Sequence, residues 1–492
     1  MRHAIKNHRA SLATIAALAM FSRGLEPEFS LAVHQQLGRL KAPARDNDRG
    51  VQDLTNLLWC SIDNDDSHDL DQLTVCEAHA VGCLRLLVAI ADVDALVKKD
   101  SPIDVHARQN TTSVYTSARV FSMLPEILCT NLTSLAPHVD RLAIIVQMDF
   151  SADGELLAST IYRAQVCNQA QLAYDAVSEW LDGHTSLPDV VQAVAGLEAQ
   201  LRMQDQLAQV LRSRRQSQGA LEFDSFQPRA IFDGNRIADI RLQEHNRARQ
   251  LIEEFMIAAN GCTARFLMVH GGVSLRRVVR SPERWARIVQ VADGYSVKLP
   301  AQPDSAALER FLARQRRLAP ASFPDLSLEI IKLMGAGEYV VERAGEQAIG
   351  HFGLAVQDYT HSTAPNRRYP DLVTQRLIKA ALAGGPPPYS LAELSELAVH
   401  CTGQEDAVRK VERQMRKSEA ALLLHDSVGQ QFRAIVSGVN AQGIWVRIFT
   451  PPAEGRLIGE LPELRLGQML QVQLVSTSVE RGFIDFTLQG AH

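Results

Sequence analysis

Residues 61–71 read Ser-Ile-Asp-Asn-Asp-Asp-Ser-His-Asp-Leu-Asp (SIDNDDSHDLD) and place five carboxylates in the nine residues from Asp63 onward. Apolar stretches at 54–60 and 73–76 flank this cluster, so it is not expected to be a solvated acidic tail. Like charges this close together repel one another strongly unless a cation compensates them. Mg²⁺ takes oxygen ligands and is usually held by a few carboxylates together with substrate phosphates. The cluster therefore predicts metal-assisted chemistry on a phosphate.

A surface loop is the alternative interpretation of the same residues. Asn, Asp and Ser favour turns because their side chains hydrogen-bond to the nearby backbone, and residues 64–67 fit such a loop without any metal. The acids alone leave both interpretations open.

The bulk composition is that of an ordinary globular protein. The 492 residues are enough for two or three domains, with 46% hydrophobic and 22% charged residues. The net charge of −5 argues against indiscriminate coating of nucleic acid, although it permits a local basic channel. The seven cysteines are scattered without a CxxC pair, which indicates reduced thiols in the cytoplasm and no zinc site.

The N-terminal stretch is basic up to Arg9 and mildly apolar from Ala10 to Phe21. It lacks the strongly apolar core of an export signal, so a short amphipathic helix is the preferred interpretation. No run of 18 apolar residues occurs, and no membrane partner is expected.

The order of strand-like and helical patterns predicts an α+β chain. Residues 1–45 are interpreted as one or two short helices. The predicted strands lie at 84–93, 141–150, 160–167, 220–232 and 237–242, and the predicted helices at 171–216, 246–270 and further positions up to 383.

The C-terminal part of the chain changes in character. The glycine- and proline-rich segment 384–388 is the clearest linker, and a helical pattern follows at 391–427. The last 65 residues contain five short strand-like runs between glycines, which predicts a small barrel such as an OB-fold. These runs lie at 429–439, 443–449, 455–460, 469–475 and 483–487.

Four blocks of this sequence resemble the RNB family, the 3′→5′ exoribonucleases of the ribonuclease II and ribonuclease R group. They read SIDNDDSHDLDQ at 61–72, TSVYTSARVFSMLPEILCTNLTSLAPHVDRLA at 112–143, LIEEFMIAAN at 251–260 and HFGLAVQDYTHSTAPNRRYPDLVTQRLIKAAL at 351–382. The blocks lie in family order. The resemblance implies a catalytic domain over 46–427, in which helices surround a mixed sheet and an RNA channel, followed by an RNA-binding OB-fold over 428–492.

Family members commonly carry two cold-shock-type OB-folds ahead of the catalytic domain. Here only residues 1–45 precede the catalytic region, too few for one such barrel. Less RNA-binding surface leads us to expect a weaker grip on long substrates and lower processivity.

The resemblance implies that four family aspartates hold one or two Mg²⁺ ions, with Mn²⁺ as a possible substitute. The matching positions are Asp63, Asp69, Asp71 and Gln72. A glutamine carbonyl can ligate a hard cation but adds no charge, so we expect a weaker second metal site or one effective metal. Asp71 and Asp69 are the expected catalytic acids, and loss of Asp71 is expected to cost most.

Arg367 in the segment Ala364–Pro370 (APNRRYP) matches the family arginine that contacts phosphate near the cleaved bond. A guanidinium suits this role because its planar fork donates two parallel hydrogen bonds to phosphate oxygens. The alternative is a structural salt bridge to Asp371 or to another acid, for which Arg368 is the stronger candidate.

Two aromatic residues match the family clamp on the terminal base, a contact that is independent of base identity. Tyr115 matches without a gap, whereas Phe223 requires a one-residue gap. The alternative for both is a place in the hydrophobic core.

Two glutamates match family contacts to the RNA 3′ end. For Glu254 the alternative is an ion pair with Arg367 or Arg249, and for Glu412 it is a solvated charge on a helix. His351 and His361 also fall in matched blocks and are interpreted as structural.

We therefore expect a cytoplasmic, monomeric, Mg²⁺-dependent 3′→5′ exoribonuclease that hydrolyses single-stranded RNA to nucleoside 5′-monophosphates. One alternative is a catalytically impaired RNA-binding protein of the same fold, with Gln72 as its only support. Another is an endonuclease or a phosphodiesterase for small nucleotides, which would be consistent with the missing N-terminal barrels.

Overall fold

The computed structural model describes residues 7–46, 50–80, 82–223, 228–242, 246–320, 322–440, 442–465 and 467–489. Its first part contains α1 (His8–Phe21), α2 (Leu31–Leu37), β1 (Val51–Asp53), β2 (Cys60–Asp63), β3 (Gln72–Ala78), β4 (Leu84–Ala91), α3 (Pro102–Asn110), β5 (Val114–Tyr115), β6 (Val120–Phe121), β7 (Asp140–Phe150) and β8 (Leu156–Cys167). The middle part contains β9 (Ala170–Ala173), α4 (Tyr174–Leu181), α5 (Asp189–Gln192), α6 (Leu197–Ser217), β10 (Pro228–Asp233), β11 (Arg236–Leu242) and α7 (Arg247–Phe266). The remainder contains β12 (Val273–Val278), α8 (Trp285–Gly294), α9 (Ser305–Leu318), α10 (Phe323–Met334), β13 (Glu338–Arg343), α11 (Tyr369–Leu382), α12 (Leu391–Leu423), β14 (Gln431–Asn440), β15 (Gly443–Phe449), β16 (Pro452–Ile458), β17 (Met469–Ser478) and β18 (Phe483–Leu488).

A seven-stranded mixed sheet forms the centre of the catalytic region. Its strand order is β1-β8-β7-β4-β3-β2-β9, with the outer pairs β1/β8 and β2/β9 parallel and the inner pairs antiparallel. The central strands are almost continuously apolar because helices cover the sheet, with α6 against β3 and α7 against β7 and β8. The acidic segment is the connection between β2 and β3, so the sheet fixes both of its ends.

The predicted barrel is confirmed. Five strands close in the order β14-β15-β16-β18-β17, and the boundaries differ from the predicted runs by a few residues. The predicted α+β architecture, a mixed sheet with helices followed by an OB-fold-like barrel, is therefore correct.

Helix α12 ties the catalytic region to the barrel. Its buried residues Val408, Val411 and Met415 belong to one hydrophobic cluster with Leu12 of α1 and Phe486 of the barrel. A second link is the buried pair in which Arg447 of β15 donates to both oxygens of Asp325 on α10, at 2.8 and 2.9 Å. The proposed boundaries near residues 45 and 427 remain predictions.

Some predicted elements were wrong. Residues 220–223 are not a strand, 224–227 lie outside the described residues, and β10 begins only at Pro228. The predicted helical run from 171 begins with strand β9, and the helical region after α7 is interrupted by the antiparallel pair β12/β13. The last two errors involve strands whose partners are distant in sequence, which a local pattern does not reveal.

Within the described parts of the chain, no helix is both long and apolar enough to cross a lipid bilayer.

Gly455 in β16 provides a test of barrel packing. A Cβ at this position would lie 2.5 Å from the carbonyl oxygen of Ile484 and 2.6 Å from Cε2 of Phe486. We predict that Gly455→Ala lowers the free energy of unfolding by about 1–3 kcal/mol through overpacking. The matched control is Gly403→Ala in α12, where no atom lies within 4 Å and where alanine should stabilise the helix by about 0.5–1 kcal/mol. Urea unfolding measures both, and equal effects of the two substitutions would contradict the packing account.

Candidate active site

The acidic segment divides into a turn and a buried part. Oδ1 of Asp63, at the end of β2, accepts from the backbone N–H of Asn64 at 2.7 Å and from the Ser67 hydroxyl at 3.0 Å. Asp65 and Asp66 are exposed to solvent. The surface-loop interpretation is therefore correct for the tip of the segment, and the buried acids beyond it are the candidates for chemistry.

Asp71 is buried, with 3% of its surface exposed. Its Oδ2 accepts from Nε of Arg367 at 2.6 Å, while its Oδ1 has no hydrogen-bond partner among the described residues. Burial raises the pKa of this carboxyl to about 7, because desolvation outweighs the opposing effect of the Arg367 guanidinium, and the charge of Asp69 raises it further. Asp71 is thus a carboxylate with one oxygen anchored and the other unpaired within the part of the chain that the structure describes.

Asp69 lies next to this pair and is half-buried. Burial raises the pKa of its carboxyl, and the nearby charge of Asp63 adds to the increase. The Tyr115 hydroxyl donates to Oδ2 of Asp69 at 3.5 Å, a long contact that nevertheless brings the tyrosine to the acid cluster.

Gln72 is buried at the first position of β3, where it pairs with Ile90 of β4. It directly follows Asp71. An acid at this position would place another negative charge beside a carboxylate that is already buried, and the amide avoids that repulsion.

The donor set fits a divalent cation that substrate helps to hold. Among the described residues, no three His, Cys, Asp or Glu side chains come together as a complete metal-binding group. Mg²⁺ does not require such a group, because it commonly keeps waters and takes one or two carboxylates plus phosphate oxygens. The free Oδ1 of Asp71 and the mutual repulsion among Asp63, Asp69 and Asp71 are the features that a cation would relieve.

The two neighbouring arginines have different partners. Arg368 donates to Oδ1 of Asp371 at 2.8 Å, and the same oxygen accepts from the backbone N–H of Ala364 at 2.8 Å. The salt bridge to Asp371 is therefore made by Arg368, and Arg367 pairs with another acid, Asp71. Its side chain remains 39% exposed.

Backbone contacts hold the Arg367 loop against the rest of the site. The carbonyl oxygen of Arg367 accepts from the backbone N–H of Ser113 and from the Thr112 hydroxyl, both at 3.0 Å. The amide of Asn366 donates to the carbonyl oxygen of Asp69 at 3.3 Å. These contacts join three of the sequence blocks at one place.

Tyr115 is 42% exposed, so the core interpretation is wrong for this residue. Its backbone N–H donates to Oε1 of Glu412 on α12 at 3.1 Å, and burial raises the pKa of that glutamate. Glu412 is therefore not a solvated helix charge. Glu419, two turns further along α12, also hydrogen-bonds to the hairpin at Ser117, so α12 sets the position of Tyr115.

Glu254 is buried on α7 and pairs with Arg215 of α6. Arg215 donates to Oε2 at 3.0 Å and to Oε1 at 2.5 Å. The partners considered from the sequence, Arg367 and Arg249, were wrong, because the packing of α6 on α7 brings a different arginine to this helix face. The predicted contact of Glu254 with RNA remains a prediction.

Phe223 is half-buried and packs against the hydrophobic cluster formed by α8, α9 and α10, which includes Trp285 and Phe311. The preceding Glu222 pairs with Arg316. This placement fits the core interpretation, and the clamp role of Phe223 remains a prediction.

Tyr174 is an aromatic neighbour that the sequence reasoning missed. It follows β9, whose parallel pairing aligns Ala173 with Asp63, and burial together with the charge of Asp63 raises the pKa of the tyrosine. The guanidinium of Arg249 lies 4.4 Å from the centre of the Tyr174 ring and donates to Oδ1 of Asn64 at 2.8 Å. In the sequence, Tyr174 is only an aromatic residue after a short apolar run. Nothing close to it in the chain identifies the strand with which that run pairs.

Asp71 should give the protein a distinctive pH dependence in the absence of metal. Its pKa of about 7 exceeds the unfolded value of about 3.9, so the folded state binds this proton more tightly and loses stability as pH rises through this range. We predict that, as pH rises from 4 to 7, the free energy of unfolding of Asp71→Asn increases relative to that of the wild type by about 2–4 kcal/mol. Above pH 7 this difference should stay constant. Urea unfolding at several pH values in chelator measures this slope. Asp66→Asn, in the exposed part of the same loop, should leave the slope unchanged, and equal slopes for all three proteins would contradict the prediction.

Glu412 should position Tyr115 through its oxygen rather than its charge. We predict that Glu412→Ala speeds amide hydrogen exchange in the Tyr115 hairpin about twofold to tenfold, the equivalent of one lost hydrogen bond. Glu412→Gln keeps an acceptor oxygen and should exchange like wild type. If both variants exchange like wild type, the hairpin does not depend on this contact.

Comparison with known proteins places the chain in a family. A family model described as an RNB domain matches residues 51–384, and another, an RNase II-type exonuclease C-terminal S1 domain, matches residues 430–489. Ribonuclease R of Escherichia coli is 32% identical over 93% of this chain and 60% of its own length. The chain thus spans about 60% of the length of this curated relative.

Solved structures share the fold. Mycoplasma genitalium RNase R in complex with ribose-methylated single-stranded RNA aligns with a TM-score of 0.86 at 23% identity, over 96% of this chain and 77% of that one. Yeast Ssd1, described as a pseudonuclease, aligns with a TM-score of 0.70 at 16% identity, over 92% of this chain and 56% of that one. The fold alone therefore occurs with and without nuclease activity. The RNB model covers more than half of the chain, confirming the resemblance seen in the four blocks: the chain belongs to the RNB family.

Proposed function

We propose that this chain is a 3′→5′ exoribonuclease that hydrolyses single-stranded RNA to nucleoside 5′-monophosphates with Mg²⁺, or with Mn²⁺ in its place. The observation that carries the proposal is the buried Asp71 carboxylate, with Arg367 on one oxygen and no partner among the described residues on the other. Family membership and the RNA bound to Mycoplasma genitalium RNase R support the choice of substrate.

Asp63, Asp69 and Asp71 are the residues that would hold the ion, with the Gln72 carbonyl as a neutral fourth donor. When bound, a divalent cation lowers the pKa of a water and neutralises charge on the phosphate. Asp71 and Asp69 contribute most because burial has already removed the water that would otherwise screen them.

Arg367 is suited to stabilise the charge that develops on the phosphate. Its Nε is anchored on Asp71, which fixes the plane of the guanidinium before substrate arrives. The rest of the exposed fork can then donate to the non-bridging oxygens, and such a preorganised donor favours the transition state.

Tyr115 is suited to stack on a base near the 3′ end, because every base offers a stackable face and no sequence preference is needed. Glu412 accepts from its backbone N–H, and its hydroxyl donates to Asp69. We assign the second aromatic position to Tyr174 rather than to Phe223, because Tyr174 adjoins Asp63 whereas Phe223 packs against α8–α10.

The proposed location is the cytoplasm, since all seven cysteines are free thiols, as expected in a reducing compartment. The monomeric state stays a prediction.

The test is a denaturing-gel time course on 5′-labelled single-stranded RNA with Mg²⁺ or Mn²⁺. We predict a ladder that shortens from the 3′ end to a short labelled core, and a loss of at least about 100-fold in rate for Asp71→Asn, as for removal of a transition-state contact. Asp66→Asn is the matched control and should keep wild-type activity. Cleavage that begins inside the chain, or full activity of Asp71→Asn, would contradict the proposal.

A second candidate is an RNA-binding protein without turnover, which Gln72 favours because it lowers the charge available to a metal. The same assay discriminates the two when Gln72→Asp is included. Intact RNA with the wild type, and cleavage only with Gln72→Asp, would support the binding protein. Comparable ladders from both would support the exoribonuclease.

A further inference from the structure

Asn366 places an amide in the interior of the protein, between the acidic segment and the Arg367 loop. The residue is fully buried, with 0% of its surface exposed. Its Nδ2 donates to the backbone carbonyl oxygen of Asp69 at 3.3 Å, whereas its Oδ1 is buried without a hydrogen-bond partner among the described residues. The amide is therefore held at its donor end only.

This half-paired amide is unfavourable for folding. A buried polar atom without a partner costs free energy, and an apolar group of similar shape in its place is often neutral or stabilising. Leucine has the same branching as asparagine and no polar atom to satisfy. Local rules of this kind are typically broken at functional sites, so the amide at position 366 points to a role in the site.

The donor end of Asn366 acts on the stretch that carries the acids. The Ser134 hydroxyl holds this stretch on both sides of Asp69, because it donates to the carbonyl oxygen of His68 at 2.7 Å and accepts from the backbone N–H of Leu70 at 3.2 Å. Between these two contacts, the carbonyl oxygen of Asp69 accepts from the Asn366 amide. Asn366 therefore restrains the backbone of Asp69 itself.

The backbone of Asn366 is fixed in turn, together with that of Arg367. The Cys129 thiol donates to the carbonyl oxygen of Asn366 at 3.6 Å. The next residue, Arg367, donates to Oδ2 of Asp71 at 2.6 Å. Two successive residues of one loop thus hold two acids, Asp69 through its backbone and Asp71 through its carboxylate.

We propose that Asn366 is a positioning residue that keeps Asp69 at the separation from Asp71 that a divalent cation requires. Two carboxylates can share an ion only if their oxygens are held at fixed places, and groups behind the ligands commonly hold them. The inference rests on the proposed function and adds to its metal site a residue that contacts neither the RNA nor the ion.

The first test measures Mn²⁺ binding to the full chain without RNA, from the electron paramagnetic resonance signal of the free ion. We expect Asn366→Leu to weaken Mn²⁺ binding by about tenfold, as for other residues that orient metal ligands. The urea midpoint in chelator should not fall, because leucine removes an unpaired buried oxygen. Asn366→Ala removes the same donor without added bulk and should weaken binding equally. Wild-type Mn²⁺ affinity in both variants would overturn the inference.

Gln204 of α6 offers a matched control, since its amide is also fully buried but is paired at both ends. It accepts from the Thr74 hydroxyl at 2.9 Å and donates to Oε1 of Gln200 at 2.9 Å. Gln204→Met should lower the urea midpoint and change Mn²⁺ affinity by less than about twofold, because it breaks paired contacts that do not hold an acid. If it weakens Mn²⁺ binding as much as Asn366→Leu does, general loosening explains the effect and the inference falls.

The second test asks whether Asn366 acts through Asp69. In an Asp69→Ala background, Asn366→Leu should change Mn²⁺ affinity by less than about twofold, because the first substitution has already removed the carboxylate that Asn366 positions. The same factor of weakening in both backgrounds would show that Asn366 acts on another group, and would contradict the proposal.

The two proposals fail in different ways. In single-turnover reactions with Mg²⁺, Asn366→Leu should slow cleavage while RNA affinity changes by less than about twofold, since a fully buried residue does not contact RNA. A wild type that shows the Mn²⁺ coupling but leaves RNA intact would refute the exoribonuclease and keep Asn366 as part of a metal site. A wild type that cleaves RNA, while the Asn366 variants match its Mn²⁺ affinity or while it binds no Mn²⁺, would refute the role of Asn366 alone.

Discussion

The ion pair between Arg367 and Asp71 is the constraint on which the rest of the site depends. It joins the loop before α11 to the start of β3, two segments almost 300 residues apart in the chain. Removing one partner of a buried pair typically costs about 3–5 kcal/mol, because the other charge is left without compensation. The pair also leaves Oδ1 of Asp71 without a partner among the described residues, and the Arg367 side chain remains partly exposed. The Tyr115 segment is tied to the same place, since Ser113 and Thr112 bond to the Arg367 carbonyl.

Gln72 places an uncharged amide next to Asp71, where an acid would add negative charge. An acid beside Asp71 would add a second charge that burial penalises whenever no metal is bound, whereas the amide removes that cost. The same exchange lowers the attraction for a cation, because a carbonyl ligand brings no charge. In the proposed site, substrate phosphate would therefore supply charge that Gln72 does not.

Features of the fold and the site that depend on local patterns or on the family blocks could be predicted from the sequence. The acidic segment, the terminal barrel and the separate natures of Arg367 and Arg368 could be anticipated from residues close together in the chain. Tyr174 and Arg215 could not, because their places depend on the parallel pairing of β9 with β2 and on the packing of α6 against α7. Phe223 was matched to the clamp across a gap, and the fold places it against a hydrophobic cluster that a local pattern does not reveal.

The most direct test of this account is anomalous diffraction from crystals of the full chain soaked in Mn²⁺. We predict an anomalous peak within about 2–2.5 Å of Oδ1 of Asp71, the usual range for oxygen ligands, while Arg367 remains on Oδ2. A peak only at the exposed Asp65 and Asp66, or no peak near Asp71 when the ion saturates the protein, would contradict the claim that this carboxylate organises the site.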